Sequence, residues 1–378
     1  MQGPSNARPL FLHDRLYYYP SAPPARTTFH PSATSALTHW KRWVYTAVSF
    51  AAVLGVSAYF IVGWMRAGST IGLPWRAHAL ALAAVAFEIL TRTWKITWSA
   101  KAASIRLKFT TALRTTLAGD FGASITPARS GAEPARFLVL AESGVPTPSA
   151  LVVLYAELFL EALSLATVVV AVAIIFRHAG FVLGALVGVV GVYAAFVLGL
   201  TIAAIVLSRR EVRESAPRWA RRLWLGGKRW VIIQGWLEKV RTTVDSVKHI
   251  DARWAAGAFV MSVAHVSMRL CVLPALVLGA GASAPLAPLA LWPLGFLYGA
   301  AVVPAPGGGG AVELAFRAAL AGVIGTSLFA AALLWWRFYT FYLYIILGAI
   351  VAGDTALRAL RKAEEMEEEL QTAAPESA

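Results

Sequence analysis

The chain has 378 residues, with 34 Lys and Arg against 20 Asp and Glu, a net charge of +14. Hydrophobic residues make up 58% of it and charged residues only 14%, where soluble domains hold roughly 45–50% and about 25%. This balance excludes a disordered chain and a soluble globular one, and reads as an integral membrane protein. The sole cysteine, Cys271, lies in an apolar run. It excludes an intrachain disulfide, a cysteine-based zinc cluster and a CxxC redox site.

Residues 1–43 are polar, basic and rich in proline, and read as a disordered cytoplasmic arm. No apolar stretch follows the start closely enough for a secretory signal. A first span is expected over 44–65, close to the ~20 residues that cross the hydrocarbon. A second, over 77–100, contains Glu88, Arg92 and Lys95. Glu88 and Arg92 stand one turn apart and read as a self-neutralising pair, with Lys95 snorkelling toward the interface. A basic amphipathic stretch (101–114) follows, then a segment rich in Gly, Pro and charge (119–136).

Two long apolar helices are expected over 149–176 and 181–207, joined by the tight turn 177–180. The first holds Glu157 and Glu161 one turn apart, facing the bundle interior. Either couples to a proton, pairs with a base or stays a neutral hydrogen-bonding group. Residues 208–253 are a strongly basic insert with interleaved tryptophans. They read as an amphipathic helix on an anionic leaflet, or as a solvated loop helix.

A fifth span is expected over 254–279, with His265 and Arg269 one turn apart, lining a cavity or packed as polar residues. Residues 286–303 and 310–325 flank a run of Pro and Gly, and each is short for a crossing. The last span is 328–352, in which Arg337 is buried opposite a glutamate or snorkels. An acidic tail (353–378) closes the chain. Keeping every basic segment in the cytoplasm makes 101–148 enter and leave on the inner side and 286–326 on the outer side. The expected fold is therefore an all-α polytopic membrane bundle. It has about six full spans, two re-entrant or broken-helix hairpins, a possible inverted repeat and both termini cytoplasmic.

The two breaks resemble each other. Each runs through Pro (Pro127; Pro306), small residues and Gly (Gly131; Gly310) to Glu (Glu133; Glu313). An Arg follows one turn later (Arg136; Arg317). Pro and Gly free backbone groups that membrane depth tolerates only inside a protein- or water-lined cavity. Paired interrupted segments point to a transporter's central site, and a helix start together with Arg129 or Arg136 suits an anion. As ordinary interhelical turns the same stretches would carry no function.

The run from Phe121 to Arg136 resembles the Pro-x-Arg-x-Gly-Glu-x-x-Arg signature of the lysylphosphatidylglycerol synthase transmembrane-region family, also called flippase-like. Arg92-Thr-Trp94-Lys95, Glu157-Leu-Phe-Leu-Glu161 and Pro304-Ala-Pro306-Gly-Gly-Gly-Gly310-Ala-Val-Glu313 resemble its other motifs, in order, over about 44–352. The chain departs from the pattern by one residue inserted between Gly131 and Glu133. Leu158 stands where the family often has Arg, and Glu161 where it has Asp. The resemblance implies a multi-pass bacterial inner-membrane protein that moves a lipid between leaflets. With no soluble aminoacyl-transferase domain following the tail, synthesis of an aminoacylated lipid is not implied.

The leading expectation is a flippase-like translocator, not an enzyme, taking a phospholipid or lipid-linked substrate without cofactor, metal or nucleic acid. Arg129, Glu133, Arg136, Glu157, Glu161, Glu313 and Arg317 form its candidate substrate site, with Arg129 and Arg136 on a head-group phosphate. The alternatives are a scaffold that presents substrate to a separate glycosyltransferase or lipid-modifying enzyme, and a membrane-embedded transferase. A homo-oligomer is also open. No P-loop, HExxH or GxSxG with a triad is present.

Overall fold

A computed structural model describes residues 54–176, 180–208, 250–300 and 305–354, with isolated positions outside those ranges. The expected arm (1–43), the 177–179 turn, most of the 208–253 insert, Pro304 and the tail beyond 354 lie outside the described residues.

Among the described residues the structure is helical, without strands. Helix α1 covers residues 54–66. Then come α2 (Trp75–Ala102), α3 (Phe109–Ile125), α4 (Ala132–Glu142), α5 (Thr147–Ile175) and α6 (Gly180–Ser208). The second half holds α7 (Ala252–Gly279), α8 (Leu286–Gly299), α9 (Ala311–Leu320) and α10. The last runs from Thr326 to Asp354 through a π-helical turn at Phe338–Tyr342. Helices α5, α7 and α10 are long and apolar enough to cross a membrane. Side chains such as Val192, Phe196, Ile174 and Ile350 stand exposed on the outside, as lipid-facing positions do.

Proline places several of the starts. Pro74, Pro146 and Pro285 each sit in an extended or near-extended conformation immediately before α2, α5 and α8. A residue with fixed φ and no N–H to satisfy fits a helix entrance without cost. Helix α7 is capped differently: the Asp251 carboxylate accepts from the Arg253 N–H at 2.9 Å.

The halves repeat. Helices α2 and α7 each have 28 residues, and α5 and α10 each have 29. Each half is a long helix, a short-helix hairpin interrupted by a break, and a second long helix. The short helices have 17 and 11 residues in the first hairpin and 14 and 10 in the second, at or below the ~17–25 of a crossing.

Helices α2 and α7 lie antiparallel: Ala77 packs on Gly279 at one end, and the Asp251 N–H donates to the Ala102 carbonyl at 3.0 Å at the other. The outer long helices cross over. Gly348 of α10 packs on Leu117 and Phe121 of α3, while Leu165 and Val169 of α5 pack with Leu294 of α8. The possible inverted repeat of the sequence is thus a physical one, closed by exchange of contacts between its halves.

Aromatic packing anchors the second half. Phe316 of α9 meets Trp336 and Phe329 of α10 at ring-centroid distances of 5.4 and 5.5 Å, and Phe296 of α8 lies 5.7 Å from Trp336. These large rings are buried in edge-on and tilted pairs beside the second break. The first half uses smaller residues, Ile96, Ala112, Leu140, Ala150 and Val153, so its helices approach closely enough for their charged side chains to meet.

Candidate functional site

Both breaks consist of a proline followed by two residues in the left-handed region. In the first, Ala128 and Arg129 have φ of 50° and 58°; in the second, Gly307 and Gly308 have 57° and 68°. Glycine adopts this conformation freely, whereas other residues pay roughly 1–2 kcal/mol each. The first half therefore keeps the turn against steric preference. The two breaks pack on each other.

Beside the first break lies a buried ionic network. Lys95, fully buried, donates to Glu157 and to Glu161 at 3.0 Å each. Arg136 donates from Nη1 to Glu133 Oε1 and Glu157 Oε2, both at 2.7 Å. Arg92 donates to both oxygens of Asp120, at 2.7 and 2.9 Å, and its Nε stands 3.6 Å from Glu157. Glu161 also accepts from the Tyr298 hydroxyl at 3.2 Å and lies 3.2 Å from His265 Nε2.

These contacts explain the departure at Leu158. Without an Arg at that position, Glu157 is neutralised from three other directions by Lys95, Arg136 and Arg92. The Arg reappears in the other half, since Leu158 and Arg337 occupy matching positions of the two 29-residue helices. Arg337 donates from Nε to Glu313 Oε1 at 2.8 Å and from Nη1 to the Gly307 carbonyl at 3.1 Å. Ser57 of α1 donates to the same Glu313 oxygen at 2.8 Å, and the Gly310 N–H donates to the other at 2.7 Å. Glu313 is thus both the cap of α9 and the partner of Arg337.

Of the sequence-derived candidates, Glu133, Arg136, Glu157 and Glu161 come together. Glu133 is the most open of the four, its side chain 44% exposed. Arg129 lines a cavity of about 40 Å³ between the breaks, with Asp120, Ser124, Arg269, Arg337, Thr340 and Tyr344 among its polar neighbours. Glu313 joins that wall only through Arg337.

Two expectations are corrected and a third is extended. Arg317 does not line the chamber; it is exposed, with its guanidinium 5.7 Å from the Trp64 ring, because Glu313 is taken by Arg337. Lys95 does not snorkel, since two carboxylates hold it in the interior. Glu88 and Arg92 do pair, 3.9 Å apart, but not with each other alone: Arg92 also grips Asp120 and Glu88 accepts from the Tyr344 hydroxyl.

Asp120, Tyr298 and Tyr344 went unnoticed in the sequence, as did the joint placement of Arg269 and Arg337. One signal was present for part of this. Glu88 and His265 occupy matching positions in the two 28-residue helices, and so, one turn later, do Arg92 and Arg269. Aligning the halves on those helices exposes the pairs.

A family model for the lysylphosphatidylglycerol synthase TM region matches residues 44–348. The chain belongs to that family. None of the curated proteins matches it. The match spans both hairpins and all the charged residues above. It makes this chain a membrane protein of a family associated with lipid modification. Within the structure the ion pairs concentrate in the first half, and Asp120, Arg129, Arg269 and Arg337 line a cavity beside the breaks.

Proposed function

We propose that the chain translocates an anionic lipid head group between leaflets and acts as a transporter, not an enzyme. One observation carries the reading: the two breaks, from opposite halves of an inverted repeat, meet around a cavity walled by ionisable side chains. Charge is costly at membrane depth and is retained there chiefly where a polar substrate passes. Breaks in paired helices at a repeat interface are the usual architecture of such a path. The setting is a bacterial inner membrane with both termini in the cytoplasm, the side that the basic segments favour. The substrate is a phospholipid or a lipid-linked molecule, and the basic 208–253 insert rests on the anionic inner leaflet.

The test is a leaflet-resolved assay. Purified protein is reconstituted into vesicles carrying a fluorescent phosphatidylglycerol in the inner leaflet, and its appearance outside is followed by quenching. Movement above that of protein-free vesicles is expected. Rates equal to the protein-free control for phosphatidylglycerol, phosphatidylethanolamine and a polyprenyl phosphate alike would overturn the proposal.

A further inference from the structure

Two glutamates one turn apart on α5 are neutralised unequally. Glu157 meets three permanent cations: Arg136 at 2.7 Å, Lys95 at 3.0 Å and Arg92 at 3.6 Å. Among the described residues Glu161 meets one, Lys95 at 3.0 Å, and shares it with Glu157. Its other partners are the Tyr298 hydroxyl and His265 Nε2, each at 3.2 Å. A tyrosine hydroxyl brings no positive charge. A histidine brings one only when both ring nitrogens hold a proton.

His265 is placed for that second proton. Its side chain has no exposed surface, and neither ring nitrogen has a hydrogen-bond partner among the described residues. Leaving buried polar atoms unpartnered is costly. A proton on Nε2 turns that nitrogen into a charged donor beside the Glu161 carboxylate, and charge-assisted bonds are the strong ones. The remaining ionisable groups around the pair are engaged elsewhere or carry no cation. On α2, Arg92 is spent on Asp120 and Glu157. Arg269, one turn from His265 on α7, has its guanidinium carbon 5.8 Å from the Tyr344 ring of α10. Tyr193 of α6 lies in the field of Glu161 and, like Tyr298 of α8, adds no positive charge. Glu161 is also the open member of the cluster. Its side chain is 17% exposed, against 3% for Glu157 and none for Lys95 or His265, so a proton reaches the pair through it.

We infer that Glu161 and His265 form a proton-binding site, with the proton held at His265 Nε2 against Glu161 Oε2, and that its occupancy is coupled to lipid movement. With the proton bound, Glu161 has a cation of its own and Lys95 is free to turn to Glu157. When the proton leaves, Glu161 draws on Lys95 again. Lys95 and Arg136 share Glu157, and Arg136 holds Glu133 beside the first break. The proton therefore acts on the break through one shared carboxylate. The inference deepens the lipid-translocation proposal by naming a proton as the coupled ion, and rests on it only for the coupling.

The binding arm of the experiment needs no transport. The full chain in detergent, labelled with 15N-histidine, is followed by NMR from about pH 5 to about pH 9, the range that brackets an ordinary histidine. The chain has seven histidines, and the signal lost in His265→Gln is that of His265. A stepwise shift of this signal with pH is expected. Glu161→Gln should change its proton affinity by about tenfold or more. His78→Gln, near the start of α2, should not. If His265→Gln fails to fold, the step that Glu161→Gln moves and His78→Gln does not identifies the signal. No step in the wild type, or none that responds to Glu161→Gln, overturns the site.

The coupling arm uses vesicles carrying the fluorescent phosphatidylglycerol, with a pH difference imposed across the membrane. Reversing the difference should change the rate of lipid movement by about fivefold or more in the wild type and in His78→Gln. It should change nothing in His265→Gln or Glu161→Gln, a loss of pH response that a merely structural role would not produce. A response retained in both of these variants overturns the inference. Wild-type movement indifferent to the difference overturns the coupling and leaves the transport proposal standing. No lipid movement under any condition removes the transport proposal and the coupling with it, while the binding arm still decides the proton site.

Discussion

Arg92 and Arg269 occupy matching positions on two antiparallel 28-residue helices, yet only Arg92 has a carboxylate, Asp120, within hydrogen-bond distance. Symmetry of backbone is therefore combined with asymmetry of charge. Arg92 is held by Asp120 within its own half, while Arg269 faces a cavity that Asp120 also lines.

Lys95, with no exposed surface of its own, holds two carboxylates. Removing one partner of a buried pair is expected to cost about 3–5 kcal/mol, because the remaining charge is stranded. Lys95→Met should lower the unfolding midpoint in detergent accordingly. Combining it with Glu157→Gln should recover part of the loss. Additive losses in the double variant would show that the two groups do not interact.

Gly119 exists for Arg136. A Cβ at Gly119 would sit 2.3 Å from Arg136 Nε, so Gly119→Ala must push the guanidinium off its carboxylates. Overpacking of this kind typically costs about 1–3 kcal/mol. Gly184, with nothing within 4 Å of the same atom, is the control. Gly184→Ala, inside α6, should melt no lower than wild type and move lipid at the wild-type rate, while Gly119→Ala falls in both.

The two left-handed turns make opposite forecasts. Ala128→Gly relieves a strained φ and should stabilise by roughly 0.5 kcal/mol once the added chain entropy is deducted. Gly307→Ala meets Phe341 at 2.1 Å as well as an unfavourable backbone, and should destabilise by more than about 2 kcal/mol. Calorimetry on the purified variants distinguishes the signs.

Arg317 contributes no more than a cation–π contact at the surface, worth about 0.5–1 kcal/mol. Arg317→Ala should therefore leave lipid movement at the wild-type rate and shift melting slightly. A strong loss of movement would return Arg317 to the site from which its exposure removes it.

Much of this was legible in the residues. Apolar run lengths gave the long helices because a membrane demands them. Proline and glycine gave the two breaks because they interrupt the hydrogen-bond ladder. The i,i+3 spacing of Glu133 and Arg136 gave their contact because it is local. The same local logic was incomplete for Glu88 with Arg92, which pair at 3.9 Å, and failed for Glu313 with Arg317. In each case an ion from a distant segment, Asp120 or Arg337, offered better geometry.

By itself, then, the sequence determined which segments are helical, where the helices break and that charge lies among them, since these follow from periodicity and composition along the chain. Only the tertiary structure decided which ions pair, that the halves interlock through exchanged helices, and that Arg129, Arg269 and Arg337 share one cavity. Those outcomes depend on which helices touch, and in a buried site the strong electrostatics favour the best-placed partner in space over the nearest one along the chain.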